Sequence, residues 1–230
     1  MNPAGQYIAM NAARAFLAKD HNFFEQGYYD TLFNVIMPEK LKKVVPINYE
    51  YKDRHVLYQA VHDKAVGNRP IDLLEFGVYR GQSMGQWLGV NRHERSRFFG
   101  FDSFEGLPED WVGGQKEKGA FTTNGEIPDI DDPRVRFIKG WFNQTLNAFL
   151  ADFRPQNQLV LHMDADLFSS TLYVLMTLDP LIRKGTVVVF DDFNPRDDFG
   201  ALYQYAKCCG RNWSVVAVRE GLSKIGVILH

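Results

Sequence analysis

The chain has 230 residues, of which 45% are hydrophobic, 14% aromatic and 23% charged. That is an ordinary globular composition, long enough to bury most of its unfolded surface without covalent staples. Its 26 basic and 28 acidic side chains leave a formal charge of −2, with only a short basic run at Lys40, Lys42 and Lys43, so no nucleic-acid partner is expected.

The first 68 residues read as a helical cap, with one helix near 6–19 and another near 53–66. Asp53 is placed to cap the second, and Val56, Leu57, Ala60 and Val61 then share a face. The aromatic stretch HNFFEQGYYDTLF between them has no assignable element; its rings suit packing against the domain or against a second copy in a homodimer. From residue 71 the pattern changes to short apolar runs: IDLLEF (71–76), RFFGF (97–101), VRFI (135–138), LVLHM (159–163), TVVVF (186–190), SVVAV (214–218) and KIGVIL (224–229). Several are apolar at consecutive positions, as strands covered on both faces must be. Helices fit near 82–93, 143–152, 169–182 and 197–209. Alternating strand and helix predicts an α/β fold with a doubly wound, mostly parallel sheet. Only REGLS separates the last two runs, too little for a crossover helix, so a hairpin is expected and the seventh strand runs antiparallel. The whole chain reads as one domain.

Adjacent Cys208 and Cys209 cannot staple distant segments, no run reaches the length of a membrane span, and the N-terminus carries no cleavage signature. A cytoplasmic protein without a membrane partner is expected.

The first strand leads into Glu75-Phe76-Gly77-Val78-Tyr79-Arg80-Gly81-Gln82-Ser83. Glycines leaving strand one of such a sheet let the backbone approach a ligand closely. The pattern lacks the third glycine of a dinucleotide fingerprint, and the acid two residues before Gly77 favours a cationic group over a pyrophosphate. Asp102, twenty-one residues beyond Gly81 and followed by Ser103, stands at the tip of strand two, where a carboxylate can accept the hydroxyls of a ribose. His162-Met163-Asp164-Ala165-Asp166 closes strand four and Asp191-Asp192 closes strand five. Neighbouring strands would bring these acids together. Carboxylates converging there repel unless a cation or protons intervene, and oxygen-only donors suit magnesium or calcium rather than zinc. The competing reading is a set of solvated turn and capping acids.

Together LLEFGVYRGQS, FGFDSFEGLP, KGAF, RFIKGWFNQTL, LHMDADLFSSTLYVL and KGTVVVFDDF resemble the macrocin O-methyltransferase family, over roughly residues 50–195. The resemblance implies a class I methyltransferase fold, S-adenosylmethionine as methyl donor, a magnesium ion, and a small-molecule acceptor hydroxyl on a sugar or glycosylated natural product. It assigns Glu75, Gly77 and Gly81 to the methionine part, Asp102 to the ribose, Gly140 and Trp141 to the adenine, and Asp164, Asp191 and Asp192 to the metal. Tyr79, Ser83, Ser103 and Asp164, set among these, complete the expected cofactor contacts. The first 50 residues and the terminal hairpin match nothing in the family pattern, and Leu167-Phe168 follow Asp166 with no lysine shortly after, which disfavours catechol-type relatives. Asp164 or His162 is the expected proton acceptor, although a histidine on a strand is as readily a packing residue. The long glycine-containing segment 110–132 is expected to act as a lid. Two rivals remain: a nucleotide-dependent oxidoreductase, and a binding protein that has lost turnover.

Overall fold

The computed structural model describes residues 21–230; the helix expected near 6–19 lies outside them. The unplaced aromatic segment is helical, within α1 (His21–Leu41). Its Phe33 meets Phe199 edge-on at 5.0 Å between ring centroids and Phe193 at 6.0 Å, and Tyr29 rests against Phe168. These rings pack against the body of the protein itself. A 3-10 turn (Tyr51–Asp53) then leads into α2 (His55–Val61), which widens into one π-helical turn ending at Val66. Asp53 does not cap α2: it closes the 3-10 turn through its N–H on the Glu50 carbonyl, and Arg54 takes the cap position. Leu57 and Val61 are buried as expected, with Val56 and Ala60 half-covered beside them.

Seven strands follow: β1 (Ile71–Phe76), β2 (Arg97–Asp102), β3 (Val135–Lys139), β4 (Gln158–Met163), β5 (Val187–Phe190), β6 (Trp213–Val218) and β7 (Ile225–Leu229). They form one sheet in the order β3-β2-β1-β4-β5-β7-β6. All run parallel except β7, which lies antiparallel between β5 and β6. The expected hairpin is therefore real, and its second strand inserts into the sheet. The crossovers are α3 (Gln82–Val90), α4 (Phe142–Asp152), α5 (Phe168–Leu178) and α6 (Asp198–Cys208).

Strand alternation divides the core. Leu74, Phe76, Phe101, Leu161, Met163, Val188 and Phe190 point to the face covered by α1, α4, α5 and α6. Ile71, Leu73, Phe98, Val160, Val187 and Val189 point to the face covered by α2 and α3. Every side chain of β1 and β5 is buried, which accounts for their unbroken apolar runs. The same alternation decides where the acids beyond the strand ends will point.

Candidate active site

The carboxyl ends of β1, β2, β4 and β5 open on a crevice of ≈ 1060 Å³, lined in part by Gly77, Tyr79, Ser83, Asp102, Ser103, Trp141, Asp164 and Asp192. This is where open α/β sheets bind ligands, and the volume lies at the upper end for a small-molecule site. Gly77 explains the close approach at its base. It sits at φ 94°, and a Cβ there would fall 1.8 Å from the Asp164 carbonyl oxygen, so only glycine lets β1 and β4 leave the sheet side by side. Gly81, at φ 75°, stands at the N-cap of α3 under Pro128 and Ile130 of the long loop. Gly140 turns the chain before α4 at φ 138° and donates its N–H to the Asp102 carbonyl. Neither Gly81 nor Gly140 lines the crevice; both shape its walls.

Asp102 is held in place by the backbone. Its Oδ2 accepts the N–H groups of Val78 and Tyr79, both at 2.8 Å, and Oδ1 accepts that of Phe104 at 2.7 Å. The carboxylate thus ties the turns after β1 and β2 together while lining the crevice. With three acceptor sites used, about one lone-pair direction remains for a ligand hydroxyl.

Glu75 is fully buried behind that wall. Register places it beside His162 on β4, whose Nδ1 lies 3.0 Å from Oε1, and Ser83 donates to the same oxygen. Its Oε2 is buried without a partner among the described residues. His162 is equally buried; its Nε2 lies 3.3 Å from the Tyr58 hydroxyl, which donates to Asp191 at 3.2 Å. Burial opposes charge on His162, but hydrogen bonds to Asp191 and Glu75 outweigh it and raise its pKa to about 9. Neither Glu75 nor His162 reaches the crevice.

The acids beyond β4 and β5 divide into two groups. Asp191 continues the β5 alternation onto the α2 face, where it meets Tyr58, Arg54 at 2.8 Å and the buried Lys224 at the start of β7. Burial opposes its charge, but the hydrogen bond with His162, then the charges of Lys224 and Arg54, outweigh it and keep its carboxyl ionised far below the usual range. Asp192, one residue on, faces the crevice. It gathers with Asp164 and Asp166, carboxylate oxygens of the three lying within 4.8 Å of one another. Asp191 gathers instead with His162 and Asp164. The expected trio of Asp164, Asp191 and Asp192 is thus met as two overlapping sets that share Asp164. Burial first, then the neighbouring carboxylates, push Asp164, Asp166 and Asp192 upward in pKa. Asp166 also sits at φ 62°, a strained conformation for a residue with a side chain.

Over the crevice, the loop between β2 and β3 brings Trp111, Lys116, Lys118 and Phe121 to its wall. Trp111 donates its Nε1–H to Asp197 at 2.8 Å, tying the loop to the start of α6. Arg54, Tyr58 and Lys224 were not legible as site residues: each lies outside any motif and reaches the acids only through the fold. Asp166 had a visible signal, its spacing of two from Asp164.

The sheet order, with its inserted antiparallel seventh strand, glycine turn after β1 and acid at the tip of β2, defines a class I methyltransferase fold. The chain belongs to the macrocin O-methyltransferase (TylF) family, whose profile matches residues 52–207. It is 32% identical over 154 residues to demethyldecarbamoylnovobiocin O-methyltransferase of Streptomyces niveus, covering 59% of this chain and 57% of that protein. A second relative, 8-demethyl-8-(2,3-dimethoxy-alpha-L-rhamnosyl)-tetracenomycin-C 4'-O-methyltransferase of Streptomyces olivaceus, is 33% identical over 144 residues, 54% of this chain and 53% of that protein. The chain spans little more than half the length of these curated relatives. Among solved structures, the O-methyltransferase NovP superposes with a TM-score of 0.55 at 26% identity, over 76% of this chain and 78% of that one. CalS11, a calicheamicin methyltransferase, shares the fold with a TM-score of 0.57 at 23% identity, over 77% of each chain. Family membership sets aside the nucleotide-dependent oxidoreductase weighed from the sequence. No helix among the described residues is long and apolar enough to cross a membrane.

Proposed function

We propose that this protein is an S-adenosylmethionine-dependent O-methyltransferase acting on a hydroxyl of a sugar or sugar-bearing small molecule, with a magnesium ion at its acidic cluster. The observation that carries the reading is one crevice shared by a glycine turn, a strand-two carboxylate and three converging acids. The named relatives methylate natural products, in keeping with such an acceptor.

The residues fit the donor. Gly77 leaves the backbone open at the base of the crevice, Asp102 presents a carboxylate to the ribose hydroxyls, and Tyr79, Ser83, Ser103 and Trp141 line the remaining wall. Glu75, Gly81 and Gly140 set the backbone around it from behind. The oxygen-only cluster of Asp164, Asp166 and Asp192 fits a hard divalent ion, since three converging carboxylates, one buried and two half-buried, call for a compensating cation. Asp191, on the other face, is joined to Asp164 through the guanidinium of Arg54. When bound, S-adenosylmethionine supplies an electrophilic methyl group, and magnesium supplies Lewis acidity toward the acceptor hydroxyl. The protein itself must align that hydroxyl with the methyl, accept its proton and keep water out. Asp164 lines the crevice and is the carboxylate placed to take that proton. His162, with both nitrogens occupied and no path to the crevice, acts here as a positioning residue for Glu75 and Asp191. The loop 110–132, anchored through Trp111, covers acceptor and donor.

The test is calorimetry with S-adenosylhomocysteine and with NADH, followed by methyl-transfer assays on glycosides with EDTA or added magnesium. Binding of S-adenosylhomocysteine should survive EDTA, while transfer should vanish in EDTA and return with magnesium. Failure to bind S-adenosylhomocysteine would overturn the donor assignment; undiminished transfer in EDTA would overturn the metal.

A further inference from the structure

Arg54 stands at the junction of the 3-10 turn and α2, and its guanidinium spans two carboxylates. Nη1 donates to Asp191 Oδ2 at 2.8 Å and to Asp164 Oδ2 at 3.2 Å, with the side chain only 13% exposed. The two anions are unequal. Asp191 is wholly buried and also holds the ammonium of Lys224, so its charge is compensated independently of Arg54. Asp164 is 22% exposed, lines the crevice, and on its other side meets Asp166 and Asp192. Arg54 itself lines the crevice beside them. A fixed positive charge thus rests on the carboxylate that the two acidic groups share.

We propose that Arg54 is a resident counter-cation of the acidic cluster, and that it competes with a divalent ion for Asp164. The inference rests on the metal reading above. A guanidinium cannot lose its proton in a protein, so it can yield only by moving. The contact lengths say which end gives way: the 3.2 Å bond to Asp164 is the weaker, while the 2.8 Å bond to Asp191 can persist. Two cations on one carboxylate repel, more strongly as water is excluded, so an arriving ion and Arg54 cannot both hold Asp164 at full strength. Without an ion, Arg54 restrains the repulsion between Asp164 and Asp191. With one, it withdraws to Asp191, and because it begins α2, metal loading is transmitted to the helix that covers this face of the sheet.

The test is calorimetric titration of magnesium alone, and of manganese alone, into the wild-type protein, Arg54→Gln and Arg54→Lys, with thermal melting in EDTA. Arg54→Gln should bind the ion about tenfold more tightly or better, since a competing charge has gone. Its melting temperature in EDTA should fall, and metal should restore it. Arg54→Lys, whose ammonium has a shorter reach on a more flexible stem and is more easily displaced from Asp164, should bind a few-fold more tightly; it carries the comparison if the glutamine variant fails to fold. Adding Asp192→Asn to either variant should abolish the gain. Equal affinities in all three proteins, or weaker binding in a folded Arg54 variant, would overturn the inference and leave the metal reading standing. A gain that survives Asp192→Asn would also overturn it. No metal binding by any of the proteins would remove both.

Discussion

Asp191 and Asp192 are neighbours in sequence with opposite surroundings, and substitutions should separate them. Asp191 compensates the buried Lys224 and contacts Arg54 and Tyr58. Asp191→Asn leaves a buried ammonium without its counter-charge, which typically costs about 3–5 kcal/mol. Asp192 faces a cluster of like charges, so Asp192→Asn relieves repulsion. Thermal melting in EDTA should therefore show a clear drop for Asp191→Asn, and an unchanged or higher melting temperature for Asp192→Asn, which should nonetheless lose its response to magnesium. An Asp191→Asn variant as stable as wild type would contradict the assignment of Lys224 as its partner. Asp102 shows how a residue can be placed correctly and still be incompletely understood from sequence. Its position at the end of β2 was legible, but not the three backbone N–H groups it accepts, since those belong to turns that only the fold brings within reach.

At the scale of elements, the turn after β1 is the least replaceable piece of backbone. Gly77→Ala would set a Cβ against the Asp164 carbonyl at a φ that side chains avoid, so strand β1 or β4 must shift. Strain and overpacking together predict a loss of roughly 2–4 kcal/mol. Gly85 is the control: it lies inside α3 with open space where a Cβ would stand, and Gly85→Ala should stabilise by about 0.5–1 kcal/mol. Urea midpoints of the two variants should move in opposite directions; a Gly77→Ala midpoint equal to wild type would refute the close-approach account. All seven strands were legible to within a residue or so, the central β1, β4 and β5 because strands buried on both faces must be apolar at successive positions. The helical segment around the N-terminal aromatics was not: Tyr29 and Phe33, which meet Phe168, Phe193 and Phe199, stand four apart on one face, but the half-exposed Tyr28 beside them and Pro38 within the helix mask that stripe.

Across the whole molecule, the two ends of the sheet do different work. The amino end is pinned by Asp72, fully buried in β1, which takes both Nε and Nη2 of Arg97 at 2.8 and 2.7 Å and the N–H groups of Gln156 and Asn157. Burial works against its charge, but Arg97 and these N–H groups outweigh it and hold its carboxyl below the usual range. A carboxyl with a lowered folded-state pKa contributes stability above its unfolded value near ~3.9, and loses it as pH falls through the folded value. Asp72→Asn should thus cost roughly 2–3 kcal/mol at neutral pH, and the gap to wild type should narrow as pH is taken through 4 toward 3. Urea titrations across that range check it; a gap independent of pH would show that Asp72 does not act through its charge. The carboxyl end instead gathers acids whose folded-state proton affinity is raised, the inverse arrangement, which costs stability in the ionised state.

The sequence alone determined the alternation of strands and helices, the antiparallel last strand, the glycine turn, the strand-two acid and the family resemblance that the profile match later established. Each is written in short-range pattern, through burial on one or both faces, turn residues at fixed offsets, or motif spacing. Only the tertiary structure decided which acids share a surface. Arg54 reaches Asp164 and Asp191 across 110 and 137 residues of chain, and Lys224 reaches Asp191 across 33. Such pairs leave no periodicity in the sequence. They are set by strand register, which aligns Glu75 with His162, and by the alternation of side chains beyond β5, which turns Asp191 toward its cations and Asp192 toward the crevice.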